Sequence, residues 1–214
     1  MNANPHANQP VLHTGVPIAE AKGAVVLLHG RGATAEDILV LASPLHVPGL
    51  AYIAPQAANR TWYPNSFMAP RDSNEPYVTS ALAKIATIVS DLDAQGITRD
   101  RIVIAGFSQG ACLSTEFVAS NPTRYAGLIA FTGGLIGPPN VDLTHTGSLA
   151  GTPALLLSGD PDPHVPWSRV QASAAELERM GAQVTTRRYP NRPHTISGEE
   201  LTLARQLLEA AFAN

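Results

Sequence analysis

An α/β architecture, a mostly parallel sheet covered by helices on both faces, is what this chain of 214 residues predicts. Apolar runs of strand length alternate with stretches of helical period from one end to the other. Most of those runs are continuously apolar, the pattern of strands covered on both faces. One strand also leads straight through Gly106-Phe107-Ser108-Gln109-Gly110 into a helix, the strand-turn-helix unit that parallel sheets use at their functional edge.

Residues 1–10, rich in Asn, Pro and Ala, read as a loose arm, and residues 11–214 as one domain. Residues 11–18 are a candidate antiparallel edge. The parallel strand candidates are residues 24–28, 50–54, 101–105, 126–131, 154–157 and 183–189. Between them Val78, Leu82, Ile85, Val89 and Leu92 recur at three and four residues, which predicts a helix over 78–94 with one apolar stripe. Residues 111–117 continue the Gly-x-Ser-x-Gly turn as a helix that Asn121-Pro122 ends. Val170, Ala174, Leu177 and Met180 mark a further helix stopped by Gly181. Ser197 and Glu200 have capping-box spacing and open a last helix with Leu201, Ala204, Leu208 and Ala211 on one face.

Two connections are too long for ordinary strand-to-helix loops of roughly 2–6 residues: 56–75, which carries Trp62, Tyr63, Phe67 and Met68, and the Gly- and Pro-rich 133–152. Both follow strands, and ligands bind at the C-terminal ends of parallel strands.

Composition narrows the function class. Hydrophobic residues make up 44% and charged residues 14%, against roughly 25% charged in ordinary soluble domains. Net charge is −3 and the longest basic cluster is Arg187-Arg188, so a nucleic-acid partner is not expected. No run approaches the roughly 18 apolar residues of a membrane span, and residues 1–10 lack a signal-peptide pattern, so the expected location is cytoplasmic. The single Cys112 makes no intrachain disulfide and reads as helix packing. Phosphate-binding glycine loops, Cys-x-x-Cys and His-Glu-x-x-His are all missing from the sequence, so neither cofactor nor metal is expected. A homodimer is left open.

A serine hydroxyl becomes a useful nucleophile only when a base takes its proton and a third group orients that base. Ser108 sits where a sharp turn would lift it clear of the sheet edge. Of seven histidines, His194 lies in the loop between the last strand and the last helix, which fits the base. His164 is a rival, but two residues from Asp162 it has poor geometry for a separate orienting partner. The acid comes from Gly159-Asp160-Pro161-Asp162-Pro163, at the end of the strand between serine and histidine, and spacing leaves both Asp160 and Asp162 eligible. The order Ser, Asp, His is the one α/β-hydrolases use. An oxyanion hole would take one donor from the Gln109 N–H and the other from the loop His29-Gly30-Arg31-Gly32, with Arg31 N–H the choice and His29 a buttress.

These motifs together resemble the phospholipase/carboxylesterase branch of the α/β-hydrolases, which includes acyl-protein thioesterases and small bacterial carboxylesterases. The matching pieces are Leu28-His29-Gly30-Arg31-Gly32, Ala54-Pro55-Gln56 with Trp62-Tyr63-Pro64, Gly106 to Ala111, Gly133-Gly134, Gly159 to Pro166, and His194 before the last helix, so the resemblance covers residues 20–212. It implies an α/β-hydrolase fold without a large cap domain, a Ser108-His194-Asp162 triad, and oxyanion donors at Arg31 and Gln109. Two departures, Gly-Arg-Gly-Ala where the thioesterases usually have Gly-Leu-Gly-Asp, and Thr195-Ile196 after the histidine, point to hydrolysis of small esters over protein deacylation. The expected activity is a carboxylesterase for short- to medium-chain esters, with Trp62, Phe67, Met68, Leu135, Ile136 and Val165 lining the substrate pocket. A thioesterase or lysophospholipase is the enzymatic alternative, and a catalytically silent binding protein of the same fold the non-enzymatic one.

Overall fold

The computed structural model describes residues 4–213. Seven strands form one sheet: β1 (Val11–Gly15), β2 (Gly23–Leu28), β3 (Leu50–Pro55), β4 (Ile102–Phe107), β5 (Gly127–Phe131), β6 (Pro153–Asp160) and β7 (Gln183–Pro190). Their order is β1-β3-β2-β4-β5-β6-β7, with β1 antiparallel to β3 and every other pair parallel. Every residue of β2, β3 and β5 is buried, as their continuous apolar runs require, whereas β7 alternates between exposed and half-buried at the sheet edge. No helix among the described residues is long and apolar enough to cross a membrane.

The period-2 alternation of side chains divides the core in two. Val26, Leu28, Ile104 and Leu156 face one layer, built from α2 (Tyr77–Ala94), α3 (Gln109–Ser120) and α4 (Trp167–Arg179). Val25, Leu27, Val103 and Leu155 face the other, built from α1 (Ala35–Leu39) and α5 (Gly198–Ala211). The short α1 gives too few turns for a periodic signal, but its Thr34–Asp37 capping box closes both ways, as does the Ser197–Glu200 box of α5.

The loose arm expected over residues 1–10 is corrected for residues 4–10; residues 1–3 lie outside the described part. His6 is fully buried. Ala58 N–H donates to its Nδ1 at 3.0 Å, so Nε2 carries the proton and donates to Trp62 O at 2.9 Å. Lys84 Nζ donates to Ala7 O and Gln9 O, tying the arm to α2. Its polar composition concealed one imidazole that fills a gap under the 56–75 loop.

Candidate active site

Ser108 stands at the end of β4 as the N-cap of α3, with φ 55° and ψ −118°, a conformation side chains rarely adopt. The flanking glycines make that turn possible. A Cβ on Gly106 would come within 2.5 Å of the Gly110 backbone, and one on Gly110 within 2.1 Å of Leu28 O on β2. Strand and helix therefore cross too closely for any side chain at either position. Ser108 N–H donates to Phe131 O at 2.9 Å, which anchors the turn to β5.

The loops after β6 and β7 bring two more groups to this point. Ser108 Oγ donates to His194 Nε2 at 2.8 Å, and His194 Nδ1 donates to Asp162 Oδ2 at 2.8 Å. Asp162 Oδ1 accepts from the N–H groups of His164 and Val165, each at 2.9 Å. Burial works against ionising this carboxyl, but the three hydrogen bonds outweigh it and hold its pKa below the ordinary carboxylate value. The His194 ring lies between Phe107, 5.0 Å away, and His164, edge-on at 4.9 Å. Asp160 points elsewhere: its carboxylate pairs with Arg188 on β7.

The His194 loop is held by a residue that sequence reasoning missed. Arg192 donates to Pro193 O and Thr195 O on either side of the histidine and to Thr132 Oγ1 at the end of β5. Its guanidinium also lies 3.2 Å from the fully buried Glu200, whose other oxygen caps α5 through Ser197 N–H. Gly159 lets the loop settle onto β6, since a Cβ there would meet Arg192 O at 2.6 Å. Only the basic residue two before the histidine in Asn191-Arg192-Pro193-His194, and the carboxylate already read as a cap, hinted at this. Arg192→Met leaves Glu200 buried without its cation, so the expected loss is about 3 kcal/mol of stability and roughly 10- to 100-fold in kcat. Urea unfolding and steady-state kinetics measure both; a stability loss under about 1 kcal/mol would count against the pair.

Ser108 opens into a cleft of about 560 Å³ shared with Arg31, Tyr63, Phe67, Gln109 and Val165. A smaller cleft of about 260 Å³, lined by Ala33, Ile38, Leu41, Phe107 and Ile196, lies against His194 as well. Gln109 is the first residue of α3, and the first N–H groups of a helix have no intrahelical acceptor. Among the described residues neither the Gln109 N–H nor the Arg31 N–H donates to a protein acceptor.

Of the six residues expected to line the pocket, Phe67 and Val165 lie on the larger cleft, and the other four are corrected. Trp62 is fully buried beneath the cleft, its indole N–H donating to His29 O at 2.9 Å. Met68 packs on the core, and Leu135 and Ile136 turn inward, held by Ser173 Oγ on α4 and Glu116 on α3. Large apolar side chains on these long loops gain more by reaching the core than by facing a wet cleft. His29 has the buttress role expected of it: its Nε2 accepts from Ala57 N–H at 3.1 Å. Gln109 does more than expected, since its side-chain amide accepts from Trp62 N–H and donates to Tyr63 O, stitching the 56–75 loop to the elbow.

The two long loops are fastened to each other and to α3. Gly137 N–H donates to Phe67 O at 2.9 Å, and Arg71 donates to the buried Glu116 at 2.8 Å. His145 sits between Glu116 and Glu176, at 3.7 and 3.8 Å. The Glu116 carboxylate raises the His145 pKa above 6.5 despite burial. Burial would raise Glu116, but the charges of His145 and Arg71 hold it below 4.5. A raised histidine stabilises the fold fully below its unfolded pKa and less as pH rises through its folded value; a depressed carboxylate does the reverse. The stability gap between wild type and His145→Gln is therefore expected to be widest between about pH 4.5 and 6.5 and to close on further alkalinisation. Thermal unfolding across pH checks this, and a gap that widens above pH 7 would refute it.

Comparison with known proteins identifies the family. The family model described as phospholipase/carboxylesterase matches residues 12–212. A solved phospholipase/carboxylesterase structure from Dyadobacter fermentans DSM 18053 superposes with a TM-score of 0.92 at 48% identity, covering 97% of this chain and all of that one. A protein of Oryza sativa subsp. japonica named "Probable carboxylesterase" is 26% identical over 91% of both chains. A Gibberella zeae acyl-protein thioesterase 1 is 31% identical over 53% of this chain and 49% of its own. The strand order, the elbow and a family match that runs from β1 to the end of α5 lead to one conclusion: this chain belongs to the phospholipase/carboxylesterase family of α/β-hydrolases.

Proposed function

We propose that the protein is a serine carboxylesterase that hydrolyses short- to medium-chain carboxylic esters through an acyl-enzyme on Ser108. The single observation that carries this reading is the relay in which His194 contacts both Ser108 Oγ and Asp162 Oδ2 at 2.8 Å. His194 Nε2 takes the hydroxyl proton as Ser108 Oγ attacks the ester carbonyl. The N–H groups of Arg31 and Gln109 stabilise the oxyanion that develops, a contribution of about 10²- to 10³-fold in rate per donor. His194 then hands its proton to the departing alkoxide, and the tetrahedral intermediate collapses to the acyl-enzyme and free alcohol. Water repeats the attack, giving its proton to His194, and the acid leaves as Ser108 regains its hydrogen. Asp162 keeps the imidazole in the Nδ1–H tautomer and stabilises the imidazolium.

Partial similarity to an acyl-protein thioesterase favours thioester hydrolysis as a second reading. A panel of p-nitrophenyl esters from acetate to decanoate, beside acyl-CoA and lysophosphatidylcholine, decides between them. The expected result is a kcat/KM maximum at short to medium p-nitrophenyl esters. Faster turnover of the thioester or the lysolipid would move the assignment, and failure of a fluorophosphonate probe to label Ser108 would end the serine-hydrolase reading.

A further inference from the structure

Arg31 is an isolated cation in the larger cleft. Its guanidinium is held against the 56–75 loop, donating from Nη1 to Thr61 Oγ1 and Pro64 O and from Nη2 to Asn65 O, with the Tyr63 ring 6.0 Å below. All three acceptors are neutral. Among the described residues no Asp or Glu lines this cleft; Asp162, nearby, is committed to His194 and to two backbone N–H groups. Asp37, at the smaller cleft, is taken up by the Thr34 capping box. Among the described residues Arg31 therefore has no carboxylate bonded to its guanidinium, although the whole chain carries a net −3. A guanidinium has five N–H donors, so three bonds leave the Nε–H and one Nη2–H for a ligand. Because the loop already orders the side chain, a ligand meets little of the entropy of fixing it.

The second cleft completes the picture. It shares Gly30, Ala33, Phe107 and His194 with the larger cleft and adds the apolar walls Ile38, Leu41 and Ile196, so an ester at Ser108 lies between an apolar surface and the Arg31 cation. We propose that Arg31 selects esters carrying an anionic group, the carboxylate lying toward Arg31 and the apolar portion in the smaller cleft. This inference rests on the serine-esterase reading and names its substrate class. Arg31 thus has two separate tasks: its backbone N–H serves the oxyanion, and its side chain serves the charge of the substrate.

The test compares kcat/KM for a charged ester and its neutral counterpart in the same protein, so that a general loss of activity cancels. One arm uses mono-p-nitrophenyl adipate against p-nitrophenyl hexanoate, and the other uses the butyrate ester of 4-hydroxybenzoate against phenyl butyrate. They place the anion on the acyl and the alcohol side. In at least one arm Arg31→Met is expected to lower the charged-to-neutral ratio roughly 10-fold, the scale of a hydrogen bond to a charged group. Arg31→Lys, which keeps the charge and loses the fork that grips the loop, should restore most of that ratio. Ratios unchanged by Arg31→Met in both arms would overturn the proposal. Equal losses in the Lys and Met variants would also overturn it, by showing that Arg31 acts only as a loop clamp. If the wild type hydrolysed none of the four esters and a fluorophosphonate left Ser108 unlabelled, the esterase reading would fall and this inference with it. Normal turnover of the neutral esters separates that failure from the failure of the charge proposal alone.

Discussion

Replacing Ser108 by alanine is expected to lower kcat/KM for p-nitrophenyl butyrate by about 10⁴- to 10⁶-fold, the scale seen when a serine nucleophile is removed and only binding and oxyanion stabilisation remain. Stability should hardly change, because alanine fits the same turn and the flanking glycines are untouched. Ser108→Gly separates chemistry from conformation more sharply. At φ 55° and ψ −118° any side chain is strained, so glycine should raise thermal stability by about 1–2 kcal/mol while leaving the enzyme inactive. Residual activity within tenfold of wild type in either variant, after exclusion of contaminating hydrolases by active-site titration, would remove Ser108 from the mechanism. A drop in stability for Ser108→Gly would mean that the elbow is not under strain.

The second large effect falls on Asp162. Asp162→Asn replaces an acceptor with an amide that can donate, which favours the wrong imidazole tautomer at His194, and kcat is expected to fall by about 10³- to 10⁴-fold. It also gives up a carboxylate kept ionised by three hydrogen bonds. Asp160→Asn should leave kcat within about threefold, because what it loses is a pair with the exposed Arg188 at the sheet edge, away from His194. The two variants assayed side by side give the decision. A greater loss in the Asp160 variant would transfer the orienting role and contradict the contact between Asp162 and His194.

Much of the architecture was legible along the chain because its signals are local. Continuous apolar runs mark strands buried on both faces, and three- and four-residue recurrence marks α2 and α4. The Ser197–Glu200 spacing marks the start of α5. β4 begins at Ile102 and runs through Gly106 to Phe107, so the first elbow glycine lies within the strand itself. The five-residue α1 escaped notice since it offers little more than one turn of pattern. The site was legible in part. Ser108, His194 and the loop bearing Arg31 stand beside glycine and proline punctuation that a sequence displays. Spacing alone could not separate Asp160 from Asp162, which lie two residues apart on one turn.

The parts that escaped are those in which a side chain acts across a long stretch of sequence. His6 supports the 56–75 loop from 52 residues away. Arg192 reaches Thr132 across 60 residues, and Gln109 grips Trp62 and Tyr63 from the far side of the elbow. Trp62, Leu135 and Ile136 carry the composition of a pocket wall, yet they turn inward. An apolar side chain near two surfaces goes to the one that excludes more water, and a linear pattern does not say which surface that is.

By itself, then, the sequence determined the parallel sheet and the serine on its elbow, written in residues close to one another, and the order of serine, acid and histidine along the chain. Spacing left two aspartates eligible and only the family resemblance favoured Asp162; the tertiary structure shows Asp162 meeting His194, which apolar residues face the cleft, and that among the described residues no carboxylate is bonded to Arg31. The reason is one of range. Backbone conformation and burial on a single element follow from neighbours within a turn or two, whereas hydrogen-bond partners and uncompensated charge depend on which loops the closed sheet brings together.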